Sequence, residues 1–496
     1  MTESTFPPFS IPGADADMKR ICSEKLHDLY GTNPPVPIAE RLNDELSRMD
    51  STNYSSVYML LHHLAVYLRG AEGHIGIRGT LGSTLTSFLL GVSDINPLPA
   101  HYRCPNCGYT EFVEGDSGYD LPVKACPDCG ALLCGDGHNI PYETCREFVM
   151  KKPMETVEIN VTASAWETAV CFLVDFLGAE RIARADEWNN PVCFMLLPDG
   201  MHFEDVTPIT ELTPSVCGVH KRTVLPGYDL VPALLRVILL PHCNYDVISQ
   251  LHQLTGTKPE DIDYSDPNVY QMFQNSDTCG IWGFSTDCST EIVCTRKDIR
   301  FSDLIRVSSM TYGSGAWENN GENLLESHSF RELITSRDDI FLALRKYGLD
   351  PQIAYDVMEI VRKGRFCADT DQNRKMAQKL LRKGVPEWYV ESMRKIHYLF
   401  PKAHAAHHTK TAVVLAWFKT YFPNEFYNVT LHFWEAEELL HCNDKELSQK
   451  LESFEKQKHY KEPAQEVIEL LLEVRHRNVP IDLSILYRAA RPIIIK

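Results

Sequence analysis

Four cysteines in this sequence have the types and spacing to hold a metal. Cys104-x2-Cys107 and Cys126-x2-Cys129 form two CxxC turns separated by 18 residues. Thiolates bind zinc at about 2.3 Å in tetrahedral sets, and two such turns supply all four ligands. A closed four-thiolate site is structural, stabilising an insertion too small to have its own core. The other reading is four unrelated buried thiols. Upstream lies the turn Arg78-Gly79-x-x-Gly82-Ser83. Glycine turns ahead of a helix let backbone N–H groups approach phosphate oxygens, and Arg78 would add charge. The turn is neither a Walker A loop nor a dinucleotide fingerprint. A tight turn that merely packs a helix on a sheet uses the same glycines. Downstream, the short strand Val157-Glu158-Ile159-Asn160-Val161 carries two polar tips. An enzyme handling a nucleoside triphosphate could use all three pieces. His404, His407 and His408 look like a further metal cluster, but no acidic or cysteine partner has matching spacing. They read better as a solvent-facing or phosphate-facing patch.

These residues need elements to position them. The 496 residues suffice for two to four domains. Residues 1–35 read as a loose lead-in, followed by helices over 38–49 and 55–68. Gly70, Gly73, Gly76, Gly79 and Gly82 then punctuate a strand-turn-helix passage. Apolar and β-branched runs predict strands at 157–161, 192–197 and 234–240, with one helix over 165–185 between the first two. From Asp266 onward the pattern is helical, with helices expected over 330–347, 351–363, 374–383, 386–397 and 405–421. The tail from Glu435 reads as two or three charged amphipathic helices.

Composition narrows the function classes. The net charge of −18 argues against generic nucleic-acid coating. It hides an asymmetry, because residues 341–420 carry 15 Lys and Arg against 7 Asp and Glu. That stretch reads either as a phosphate-binding face or as a lysine-rich solvated helix surface. No apolar run reaches membrane-spanning length and no secretory h-region is visible, so no membrane partner and a cytoplasmic location are expected.

Longer segments carry a family resemblance. Asn96-Pro97-Leu98-Pro99-Ala100-His101-Tyr102-x-Cys104-Pro105-x-Cys107 leads into the knot and Asp136-Gly137-His138-x-Ile140-Pro141 closes it. Val361-Arg362-Lys363-Gly364, Val385-Pro386-Glu387-Trp388-Tyr389 and Phe400-Pro401-Lys402-Ala403-His404-Ala405-Ala406 follow. Together with Arg78-Gly79-x-x-Gly82-Ser83, these resemble, in order, the palm-to-fingers core of the bacterial PolC-type DNA polymerase III alpha subunit. The resemblance runs from about residue 11 to about residue 490. It implies an α+β fold: a nucleotidyltransferase-type palm with a zinc-knuckle insertion, then largely helical fingers. The implied division is 1–100 for the lead and first palm part, 101–135 for the zinc knot and 136–265 for the remaining palm with a mostly deleted thumb. Helical fingers take 266–430 and a helical tail 431–496.

What the resemblance implies for the site is mixed. Arg78, Gly79, Gly82 and Ser83 would bind nucleotide. Arg362, Lys363, Arg365, Lys395, Lys402 and His404 would meet DNA. Cys104, Cys107, Cys126 and Cys129 would hold structural Zn²⁺. DNA polymerases hold two Mg²⁺ ions about 4 Å apart with carboxylates on neighbouring strands. The family's three carboxylate positions fall here on Glu158, Asn160 and Ile238, so one carboxylate remains of three. The expectation is a catalytically inactive PolC-like core that binds DNA, nucleotide or a replication partner, with no sliding-clamp motif. One alternative is an active DNA-directed DNA polymerase using displaced acids, Asp199, Glu204 and Asp205, in which case Mg²⁺ is also a cofactor. The other is a structural protein-docking module.

Overall fold

The computed structural model describes residues 9–49, 52–145, 153–185, 193–198, 200–201, 213–214, 220–222, 234–454 and 460–486. Among these, the strands are β1 (Ile75–Ile77), β2 (His101–Arg103), β3 (Thr110–Phe112), β4 (Cys134–Asp136), β5 (Thr156–Thr162), β6 (Ile182–Ala185), β7 (Cys193–Leu196), β8 (Thr213–Pro214), β9 (His220–Arg222) and β10 (Leu235–His242). Seven of them form one mixed sheet in the order β1-β5-β10-β7-β6-β9-β8, and the order β3-β2-β4 forms the second.

β5 is extended because β-branched side chains dominate it, and Val157, Ile159 and Val161 point into the core. It pairs antiparallel with β1 and parallel with β10. Parallel neighbours need a crossover, and the chain between them includes the Trp166–Leu177 helix. Trp166 Nε1 donates to the Leu239 carbonyl at 2.8 Å, pinning that helix to the sheet. The helix expected over 165–185 is therefore shorter than its sequence pattern. Gly178, at φ 91°, ends it, and the apolar residues beyond belong to β6.

The expected loose lead-in is also corrected. Ala14–Tyr30 is a helix whose buried residues are Ala14, Met18, Cys22, Leu26 and Tyr30, a strict four-residue spacing. Helices Val36–Met49 and Tyr54–Gly70 follow, as expected. Beyond β10 the described chain is helical, including Cys243–Thr255, Phe301–Thr311, Arg337–Lys346, Pro351–Arg362, Asp371–Arg382, Glu387–Lys395 and Lys402–Tyr421. One apolar core runs continuously from the N-terminal helices through the sheet into this helical half. The architecture is α+β with helical fingers, as the sequence implied. Among the described residues no helix is long and apolar enough to cross a membrane.

Candidate functional site

The two CxxC turns come together. Cys104 Sγ lies 3.4 Å from Cys129 Sγ, and Cys107 Sγ lies 3.6 Å from Cys126 Sγ. All four sulfurs lie within 4.8 Å of one another. Tetrahedral zinc at about 2.3 Å from each sulfur needs edges of about 3.8 Å, so the set fits the ion. Each turn is a knuckle. Cys104 N–H donates to the Tyr109 carbonyl, Cys126 N–H donates to the Ala131 carbonyl, and Gly108 and Gly130 take positive φ. A side chain at Gly108 would come within 2.9 Å of the Gly31 backbone, so the first knuckle is pressed onto the end of the Ala14–Tyr30 helix. With four thiolates and no open position, zinc here would brace the β3-β2-β4 insertion rather than perform chemistry.

On the large sheet, β10 runs beside β5 with Ile238 opposite Glu158 and Leu240 opposite Asn160. On the other side of β5, Gly76 is opposite Asn160. Register partners share a face. Glu158, Ile238, Asn160 and Leu240 therefore lie on the same side of the sheet, away from the core-facing Val157 and Ile159. Glu158 is the one carboxylate on β1, β5 and β10. Arg78, just past β1, reaches back over this row. Its Nε is 3.4 Å from Glu158 Oε2 and its Nη1 is 3.4 Å from Asn160 Oδ1. A guanidinium thus lies against the two side chains that the family resemblance equates with metal ligands. A single carboxylate already shared with arginine does not fit a pair of Mg²⁺ ions, which take hard anionic oxygens. The displaced acids Asp199, Glu204 and Asp205 lie outside the described residues.

Arg78, Gly79, Thr80, Thr156 and Glu158 line a cavity of about 250 Å³ together with Tyr54, Tyr58 and Met154. Gly82 and Ser83, expected with Arg78 and Gly79 to hold nucleotide, do not line it. Gly82 is buried beneath Ile77, where a Cβ would meet Ile77 Cδ1 at 1.9 Å. Ser83 is buried, and its carbonyl accepts from Arg41. The amides at the start of the Leu85–Leu89 helix are also occupied. Leu85 and Thr86 N–H each donate to the buried Glu45 carboxylate at 2.9 Å. The chain's own anion fills the position the sequence suggested for phosphate. At that end of the turn the glycines serve packing.

The expected DNA contacts divide. Arg365 and Lys395 are exposed, and Lys395 Nζ donates to the Asn319 carbonyl. Arg362 and Lys363 are both drawn to Glu359, which Arg337 also reaches. Lys402 and His404 are corrected outright, being 8% and 5% exposed. Burial lowers the Lys402 pKa, and Lys402 Nζ donates inward to the Asn139 carbonyl. His404 Nδ1 accepts from Gly79 N–H at 3.3 Å. Burial, then Arg78, holds its pKa well below the ordinary histidine value. His407 and His408 are buried on the same helix, so the expected solvent-facing patch is a packing surface. Among the described residues the histidines form no metal cluster.

Sequence reasoning missed the contact that joins the two halves. Asp94 Oδ1 pairs with His407 Nδ1 at 2.8 Å, and His407 Nε2 pairs with Tyr245 Oη at 2.7 Å. Burial opposes the Asp94 charge, but Lys410 and His407 outweigh it and hold its pKa well below the carboxylate range. Burial drives the Tyr245 pKa upward, so the phenol stays protonated. Gly76 makes the space, since a Cβ there would meet Tyr245 Oη at 1.7 Å and His407 Nε2 at 2.4 Å. The glycine at 76 was the available signal, but its reason lies in residues some 170 and 330 positions away.

The bacterial DNA polymerase III alpha NTPase domain model matches residues 16–186, and the bacterial DNA polymerase III alpha subunit finger domain model matches 244–384. A DNA polymerase III PolC-type of Lacticaseibacillus paracasei is 31% identical over 480 residues, covering 84% of this chain and 33% of that protein. The chain belongs to the PolC-type DNA polymerase III alpha-subunit family. The PolC-type protein of Thermotoga maritima is 30% identical over 488 residues, covering 86% of this chain and 35% of its own length. That of Caldanaerobacter subterraneus is 29% identical, again over 488 residues. The chain spans about a third of the length of the PolC proteins it matches. The cysteine knot falls inside the first matched domain, and the Arg337–Lys346, Pro351–Arg362 and Asp371–Arg382 helices fall inside the second.

Proposed function

We propose that this chain is a PolC-like palm-and-fingers core that binds nucleic acid, and replication proteins with it, without extending DNA. The observation that supports this most is the placement of Arg78 against Glu158 and Asn160, with Ile238 in register beside Glu158. Two-metal phosphoryl transfer uses one ion to activate the attacking hydroxyl and one to clamp the leaving group. Here the strands offer one carboxylate, and it is already compensated by a cation. Asparagine and isoleucine supply no anionic oxygen. The cavity beside Arg78 is open to a small anionic ligand, and Arg78 and Gly79 are the groups that would meet it. Structural zinc on Cys104, Cys107, Cys126 and Cys129 belongs to the same reading, because a braced insertion keeps the palm's outer layer in place.

Metal occupancy tests the reading without relying on activity. Mn²⁺ titration followed by electron paramagnetic resonance should show no tight Mn²⁺ site on the natural chain in the absence of nucleotide. Restoring three carboxylates while releasing Glu158, as Arg78→Ala, Asn160→Asp and Ile238→Asp together, should create one. Tight Mn²⁺ binding by the natural chain, lost on Glu158→Ala, would mean that the site is alive.

A further inference from the structure

We propose that the outward face of the Asp371–Arg382 helix docks on the phosphate backbone of duplex DNA through Lys375, Lys379, Arg382 and Lys383. The inference rests on the nucleic-acid reading above and places its surface away from the residues first expected to carry it. The helix buries Asn373, Ala377 and Leu380. That arrangement turns Lys375, Lys379 and Arg382, at spacings of four and three, to the opposite side, with Lys383 just beyond. All four are exposed.

Local charge makes this face unusual for the chain. Residues 363–383 hold seven Lys and Arg and two Asp, in a protein of net charge −18. Both acids are engaged elsewhere. Asp369 and Asp371 each lie 2.6 Å from Arg374. Among the described residues no carboxylate is ion-paired with Lys375, Lys379, Arg382 or Lys383. By contrast, Arg362 and Lys363 converge on Glu359, and Lys402 is buried. Cations in the last turn also complement the helix dipole. That accounts for Arg382 and Lys383 but not for Lys375, which belongs to the first half of the helix.

Charge complementarity and dimensions select the occupant. From Lys375 to Lys383 the helix advances about 12 Å at 1.5 Å per residue. A duplex strand presents one phosphate per about 3.4 Å of axis, so the face spans about four phosphates of one strand, one for each cation. Flexible lysines on an exposed helix hold a backbone and do not read bases, so the contact positions DNA without sequence preference. The overall negative charge works against long-range attraction. Binding should therefore be modest in affinity and steeply sensitive to salt.

The experiment measures fluorescence anisotropy of a labelled 24-base-pair duplex with the full, zinc-loaded chain between 50 and 200 mM salt. Four phosphate contacts give a slope of log affinity against log salt near −3.6, a loss of roughly 150-fold across that range. Replacing Lys375, Lys379, Arg382 and Lys383 together by Ala should remove most of that slope and at least tenfold of the affinity at 50 mM. The single Lys375→Glu change should lower affinity in the same direction, and guards against a misfolded quadruple variant. Arg at the three lysine positions should preserve binding. If the natural chain binds with a steep slope and the variants match it, this face is wrong while the nucleic-acid reading stands. If the natural chain shows no salt-dependent binding, both fail. If polyglutamate of equal charge displaces the duplex as well as unlabelled DNA does, the face is an acidic-protein site and the inference is overturned.

Discussion

Gly76→Ala tests whether strand β1 and the Lys402–Tyr421 helix are locked by one buried contact. A methyl group at Gly76 would lie 1.7 Å from Tyr245 Oη, 2.4 Å from His407 Nε2 and 2.8 Å from Tyr245 Cζ. Neither ring can step aside freely. Tyr245 is 4% exposed and His407 1%; His74 packs edge-on against Tyr245 and His242 stacks on it, with ring centroids 4.8 and 4.9 Å away. Moving the phenol leaves His407 Nε2 without its partner, at a cost of about 1–3 kcal/mol. Forcing close-packed rings apart adds about 1–3 kcal/mol. The substitution should therefore destabilise by about 4 kcal/mol, measured by urea unfolding at fixed zinc. Tyr245→Phe alone should cost about 1–2 kcal/mol, the lost hydrogen bond. It also removes the nearest obstacle, leaving Cζ at 2.8 Å. The double variant should then be less destabilised than the sum of the singles by about 1–2 kcal/mol. A Gly76→Ala chain within about 0.5 kcal/mol of the natural one, or strict additivity, would refute the packing argument.

Three further outcomes follow from the site. Elemental analysis of the purified chain should give about one zinc per molecule, and Cys104→Ser should lose both zinc and stability; unchanged stability in a metal-free protein would remove the structural role. Lys402→Ala should lower stability by roughly 2–3 kcal/mol, as loss of a buried polar stem does, and leave the DNA salt slope untouched, since Lys402 faces Asn139 rather than solvent. Burial holds the His138 pKa down to about 3, against the opposing pull of Asp136. Below the unfolded value of about 6.5 the unfolded chain takes a proton that the folded chain refuses, so stability falls with pH by up to about 1.4 kcal/mol per unit until about pH 3. His138→Gln should flatten that slope by the same amount relative to the natural chain; a slope unchanged by the substitution would contradict it.

Some of this structure could be read directly from residue order. The CxxC pairs were legible because a knuckle is a local turn, and two local turns need only meet. β5, β7 and β10 were legible because β-branched or apolar runs bounded by polar turns have few other uses. The Ala14–Tyr30 helix was missed although Ala14, Met18, Cys22, Leu26 and Tyr30 recur every four residues, because interleaved Asp, Lys and Glu gave the stretch a loop-like composition. The site itself was only half legible. Nothing in the spacing of Arg78 foretold that it would bridge Glu158 and Asn160, since that depends on β1 pairing antiparallel with β5. Likewise, the basic count over residues 341–420 could not separate Lys402, sealed against Asn139, from Lys375 and Lys379, which face solvent. Burial is a property of the packed fold, and charge counts are blind to it.

Primer extension tests the central claim most directly. The natural chain and Glu158→Ala are each given a primed template and deoxynucleoside triphosphates, first with Mg²⁺ and then with Mn²⁺. Zinc content and far-UV circular dichroism are checked on the same preparations. Removing one preorganised electrostatic stabiliser typically costs on the order of 10²–10³ in rate. Here two anionic ligand positions are Asn160 and Ile238, and Arg78 bears on the third. The account therefore predicts no extension by either protein with either metal. Extension by the natural chain that disappears in Glu158→Ala would contradict it, because the single carboxylate on these strands would then be supporting the chemistry that its surroundings were argued to prevent.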